Sequence, residues 1–227
     1  MSNSAPNAEL MHSLGRLVRG LSALFWGLPL ALVLGVQTAK TDWLLPFGFT
    51  PPLVAGGLLL FALLQMSYFN KQERIWMAAL DRAKLLATIM TGLSPFLYWW
   101  RQLPNLSFYS QVVLILGFSS LLFLLSINQV LQRLTAMLPD EGLRQETRMF
   151  SSLNIYLVLI VIMLFGLAVL VLNLKPPTSL PFPLMILLDH VSLWFLVFAL
   201  LLPVAITMAL VWKIKEVILT SIFGPTS

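Results

Sequence analysis

Hydrophobic residues fall into six long runs, near 20–38, 53–69, 84–100, 108–127, 154–173 and 185–212, separated by polar stretches. The runs are continuously apolar rather than alternating, which argues for helices and against strands. About 20 apolar residues at 1.5 Å each cross a hydrocarbon core roughly 30 Å thick, and most runs have that length. The pattern predicts an all-α, polytopic helical membrane protein with six transmembrane helices. The last run exceeds what one crossing needs, and its first residues suit an interfacial position.

Residues 1–7 are polar and predict no regular structure. From Ala8 to Gly20, the residues Leu10, Met11, Leu14, Leu17 and Val18 recur at helical spacing, with Arg16 and Arg19 between them. That spacing predicts an N-terminal amphipathic helix lying in the interface before the chain turns inward. Two arginines followed by Leu21–Val36 also resemble a secretory signal. Gln37 and Ala39, however, would occupy the positions where a cleavage site wants two small residues, so the stretch reads as a retained first span. The chain then divides into an N-terminal tail with its amphipathic helix (1–20), a six-span domain (21–212) and a short tail (213–227).

Charge orients this plan. With the N-terminus inside, the cytoplasmic regions hold Arg16, Arg19, Lys71, Arg74, Arg82, Lys84, Arg133, Arg144, Arg148, Lys213 and Lys215. The opposite side holds only Lys40, Arg101 and Lys175. This asymmetry follows the positive-inside rule and puts both termini in the cytoplasm. Outer connections are short and carry prolines (Pro46, Pro51 and Pro52; Pro104; Pro176 to Pro183), whereas inner ones are longer and charged. The spans therefore read as three hairpins that turn over outside. Phe96, Tyr98, Trp99, Trp100, Phe108 and Tyr109 form an outer aromatic belt, and Tyr68, Phe69 and Trp212 mark inner ends.

Composition sharpens the class. The chain is 59% hydrophobic and 10% charged, against about 25% charged in soluble domains. Its net charge of +5 comes from basic residues scattered between apolar runs, which speaks against nucleic-acid binding. The absence of cysteine excludes disulfides and thiolate metal sites. No Gly-x-Ser-x-Gly, His-Glu-x-x-His or phosphate-binding Gly-rich loop occurs, and His12 and His190 are the only histidines. The expectation is a protein with no catalytic residues, metal or cofactor.

Three features carry candidate function. Asp189 and His190 stand side by side in the last apolar run, where an ionisable pair suggests a proton or ion pathway. Equally, Asp189 can cap a helix whose span runs from Val191 to Trp212. Ala23, Gly27, Ala31 and Gly35 recur every four residues, a stripe along which another helix can approach closely. Gly56, Gly57, Gly117, Ser119 and Ser120 are counterparts in other runs. Finally, residues 70–84 and 128–152 predict inner helices, with Ile75, Trp76, Ala79 and Leu80 on one apolar face and Val130, Leu131, Leu134 and Leu138 on another. Those faces suit the membrane surface or a cytoplasmic partner.

Pro29, Pro95 and Pro203 fall inside runs and can kink them, while Gln65, Thr88, Thr91, Gln111 and Thr207 can hydrogen-bond between helices. An amphipathic helix followed by six spans resembles the layout of the small permease subunits of ABC exporters, a likeness of architecture with no shared motif. Two functions fit: a non-catalytic subunit or scaffold of a membrane complex, or a transporter or permease subunit using Asp189 and His190. Compact loops point to a bacterial inner membrane, with the lipid bilayer and other membrane subunits as partners.

Overall fold

A computed structural model describes residues 4–70, 72–138, 140–173 and 201–220, and every regular element among them is helical. In order these are α1 (Ser4–Lys40), a 3-10 turn (Leu45–Phe47), α2 (Thr50–Met66), α3 (Arg74–Leu93), α4 (Phe96–Gln102), α5 (Ser107–Met137) and α6 (Glu141–Asn173). Residues 201–220 form a further helix, α7. Among the described residues, three stretches are long and apolar enough to cross a membrane: Met11–Lys40, Ser107–Met137 and Glu141–Leu164. The apolar α2 is shorter.

Local chemistry sets the boundaries. Lys40 ends α1, where a cation complements the helix dipole. Thr41 folds back there, its hydroxyl donating to the Gln37 carbonyl at 2.8 Å. Pro51 and Pro52 open α2, where a missing N–H costs no intrahelical bond. After α2 the chain reverses through Asn70 at φ 41°, a left-handed conformation that asparagine tolerates. The Asp140 carboxylate accepts from the Leu143 N–H at 3.0 Å and so caps α6.

The core is built from leucine stripes. Leu17, Leu21, Leu24 and Leu28 of α1 are buried against Leu59, Ala62, Leu63 and Met66 of α2. Gly20 lies beside Ala62 and Met66, and Gly27 beside Leu58 and Leu59, so these two helices run antiparallel. Next, α3 packs on α2 and α5, and α5 packs on α6. Trp76, the largest fully buried side chain among the described residues, donates its indole N–H to the Phe69 carbonyl at 3.0 Å. Its polar edge is thus satisfied while its ring fills the core.

The structure departs from the sequence pattern in three places. First, α1 is continuous from Ser4 to Lys40, with no turn at Gly20 between an interfacial helix and a first span. Leu17 and Leu21 are both fully buried, so the amphipathic stretch is held in line by the same packing as the span. Second, the third apolar run is not one helix. Pro95 lacks the N–H that would continue the ladder, and α3 gives way to α4 through bonds from Leu97 N–H to Ser94 O (3.2 Å) and Tyr98 N–H to Pro95 O (3.1 Å). Third, the inner connecting helices are not separate elements: 74–83 belongs to α3, 128–137 to α5 and 143–152 to α6.

Candidate functional site

The most unusual interior feature is a polar cluster where α5, α6 and α7 meet. Helical spacing places Leu143, Thr147, Ser151, Asn154, Val158 and Val161 along the buried side of α6. On α7 the matching stripe is Val204, Thr207, Val211, Ile214 and Ile218. Asn154 and Thr207 thus face each other, with Asn128 of α5 beside them, and all three are fully buried. The Thr207 hydroxyl oxygen accepts from Asn154 Nδ2 at 2.8 Å and from Asn128 Nδ2 at 3.4 Å. It donates in turn to the Pro203 carbonyl at 2.8 Å, while Asn128 Nδ2 also donates to the Leu124 carbonyl at 2.8 Å. About two turns further along, Lys213 of α7 pairs with Glu146 of α6.

The cluster is neutral. Every buried polar side chain among the described residues is a serine, threonine or asparagine. Such groups hold helices together by hydrogen bonds but do not ionise near neutral pH. The cluster also has spare acceptors: Asn128 Oδ1, Asn154 Oδ1, Thr147 Oγ1 and Ser151 Oγ are buried with no hydrogen-bond partner among the described residues. Among those residues, no group of three or more His, Asp or Glu comes together.

The small-residue stripe divides in two. A Cβ on Gly27 would meet Leu59 Cδ2 at 2.9 Å, whereas one on Gly35 would find nothing closer than Leu97 Cδ1 at 3.9 Å. Ala23 and Ala31 are partly buried against the core. Within α1 the closest approach belongs to Gly20, where a Cβ would stand 2.7 Å from Met66 Cγ and 2.8 Å from the Ala62 carbonyl oxygen. Gly56 meets α3 instead, at 2.6 Å from Thr91 Oγ1. Past Gly27 the stripe borders an apolar cavity of about 310 Å³, with Ala31, Gly35, Gly56 and Gly117 in its wall. Ser94 and Ser120 also line it, but their hydroxyls donate to the carbonyls of Thr91 (2.9 Å) and Gly117 (2.8 Å), leaving a wall of hydrocarbon character.

Asp189 and His190 lie outside the described residues. The apolar faces of 70–84 and 128–138 largely meet inside the bundle. Trp76, Leu80, Val130, Leu131 and Leu134 are fully buried and α3 packs on α5, while Ile75 remains 55% exposed. Sequence reasoning missed Asn128, Asn154, Thr147 and Ser151 as a group. The available signal was the spacing of Thr147, Ser151 and Asn154 at i, i+4 and i+7, which puts polar atoms on the side of α6 that carries Leu143 and Val158. Comparison with protein-family models, curated proteins and solved structures gives no match.

Proposed function

We propose that this chain is a non-catalytic component of a membrane complex, crossing the bilayer six times as three hairpins with both termini in the cytoplasm. The observation that carries the reading is the neutral amide–hydroxyl cluster of Asn128, Asn154 and Thr207, which ties three helices and offers no charge to move. In the crossings, α1, α2, α3 with α4, α5 and α6 supply five spans, and the run ending in α7 supplies the sixth. The basic residues Arg82, Arg133, Arg144, Arg148 and Lys213 mark the cytoplasmic side of a bacterial inner membrane under the positive-inside rule.

Most residues of the three span windows are not buried within the chain: only 33, 33 and 28% of them are. Lipid covers such a surface, and so do the helices of other subunits, which associate through packing and interhelical hydrogen bonds. The outward sides of 70–84 and 128–152 are the surfaces offered to a cytoplasmic partner. Native mass measurement after extraction in mild detergent tests the proposal. A stoichiometric assembly with other polypeptides is the expected result; a lone monomer or homodimer contradicts it.

One observation favours a second reading, transport of an apolar solute: the cavity of about 310 Å³ beside Ala31 and Gly35. In that reading Asp189 and His190 couple the movement to protons or ions. Asp189→Asn and His190→Ala would then abolish flux or its pH dependence in a folded protein; normal flux in both removes the coupling role.

A further inference from the structure

Where α3, α5 and α6 converge, an open groove of about 740 Å³ is lined by Arg82, Arg133, Arg144 and Arg148, one arginine from α3, one from α5 and two from α6. Among the described residues no Asp or Glu lines it. Arg144 leans on the end of α5, donating to the carbonyls of Ala136 and Leu138, both at 3.3 Å. The other three arginines make no ion pair among the described residues, whereas Lys84 pairs with Asp81, Arg101 with Asp42 and Lys213 with Glu146. Three helices thus hold a set of guanidinium groups together with their charge uncompensated. Guanidinium forks match phosphate oxygens in a bidentate way.

The floor of the groove decides what kind of phosphate fits. Ile75 and Ala78 line it beside Arg82. The same face of α3 continues, seven residues on from each of Ala78 and Arg82, to Leu85 and Ile89, both exposed. On α5, Phe118 and Ile115 are likewise exposed, lower in the apolar run that ends near Ile127. Arg133 lies about 9 Å along the axis beyond that end, within reach of the headgroup layer. A cationic head with an apolar track running away from it has the polarity of an amphiphile. A free anion would use only the head, and an acidic peptide would have no use for a track that descends into hydrocarbon. Basic pockets between helices on the cytoplasmic side are where anionic headgroups bind.

We infer that this groove is a binding site for an anionic phospholipid, its phosphate held by Arg82, Arg133 and Arg148 and its acyl chains laid along α3 and α5. The inference rests on the membrane orientation proposed above.

Native mass spectrometry of the detergent-purified full chain tests it, with phosphatidylglycerol, cardiolipin, phosphatidylcholine and inorganic pyrophosphate added in separate arms. Retained phosphatidylglycerol or cardiolipin, with little phosphatidylcholine, is expected. Each arginine near a lipid surface contributes about fivefold in affinity, so Arg82→Gln/Arg133→Gln/Arg148→Gln should weaken binding on the order of a hundredfold. The triple Lys variant, which keeps the charge, should retain most of the binding. Arg19→Gln/Arg74→Gln, with neither residue in the groove, should leave it unchanged. Equal retention of phosphatidylcholine overturns the proposal, as does an unchanged adduct in a triple Gln variant with wild-type helicity. Arginine-dependent binding of pyrophosphate alone would reassign the groove to a soluble anion. Arginine-dependent capture of a polyglutamate peptide without lipid would reassign it to a protein partner. The measurement is made in detergent and needs no knowledge of orientation, so a failure here leaves the six-span reading to its own tests.

Discussion

The α1–α2 pair and the α5–α6–α7 junction hold helices together by opposite means. Between α1 and α2 contact is apolar and close, with Gly20 leaving so little room that a single methyl group would overlap the Ala62 backbone. At the junction the helices share hydrogen bonds, two amide donors converging on one Thr207 oxygen. In lipid the hydrophobic effect does not distinguish helix from solvent, so association depends on packing or on polar groups that lack a better partner. This chain uses one device at each place. The first depends on the absence of atoms, the second on their presence, and they should fail differently.

The largest effect is expected at Gly20. Gly20→Leu places a branched side chain where even a Cβ meets the Ala62 carbonyl oxygen at 2.8 Å, and a backbone atom cannot swing aside. Overpacking of this kind costs about 1–3 kcal/mol, and a fixed backbone wall puts this site at the upper end. Thermal unfolding in detergent should show it as a clear loss of stability. A wild-type melting curve would mean that α1 and α2 do not approach this closely.

Thr207→Val comes next. The substitution keeps the shape and removes the shared acceptor, so Asn154 Nδ2 loses its bond, while Asn128 Nδ2 keeps the Leu124 carbonyl. Leaving a buried donor unpaired costs about 1–3 kcal/mol, though hydrogen bonds between membrane helices average nearer 0.6 kcal/mol. A double-mutant cycle of Thr207→Val with Asn154→Leu separates the two outcomes. Coupling between the substitutions supports a shared bond, and strict additivity contradicts it.

The smallest effect should come from Gly57→Ala, a direct contrast with Gly20. An added Cβ there meets nothing within 4 Å, so the gain in helix propensity, under about 1 kcal/mol, should dominate. Destabilisation at Gly57 would show a contact to that face of α2.

Periodicity made the helices legible, because a continuous apolar run has few other solutions. Segmentation was harder to read. Nothing in residues 8–20 signals that the amphipathic stretch continues straight into the first span, since that depends on Leu17 and Leu21 finding a common partner in α2. Pro95 gave the correct warning, but whether a proline kinks or interrupts a helix depends on the packing around it. The stripe of small residues is visible as a period of four from Ala23 to Gly35, yet the tightest contact of α1, at Gly20, falls outside that period. Asn128, Asn154 and Thr207 are far apart in sequence and separately unremarkable. Only the fold brings them to one point, and no local pattern encodes that meeting.

The proposed depth of the amide cluster, the proposed lipid site in the arginine groove and the proposed surfaces for partner subunits all depend on how the chain would sit in a bilayer. Ser107 begins α5 and Ser152 lies within α6, both are exposed, and the sequence has no native cysteine to interfere. Ser107→Cys and Ser152→Cys can therefore be probed separately in intact cells with a membrane-impermeant thiol reagent. The account predicts that Ser107→Cys is labelled from outside and that Ser152→Cys is labelled only after the membrane is opened. Labelling of Ser152→Cys in intact cells would contradict it.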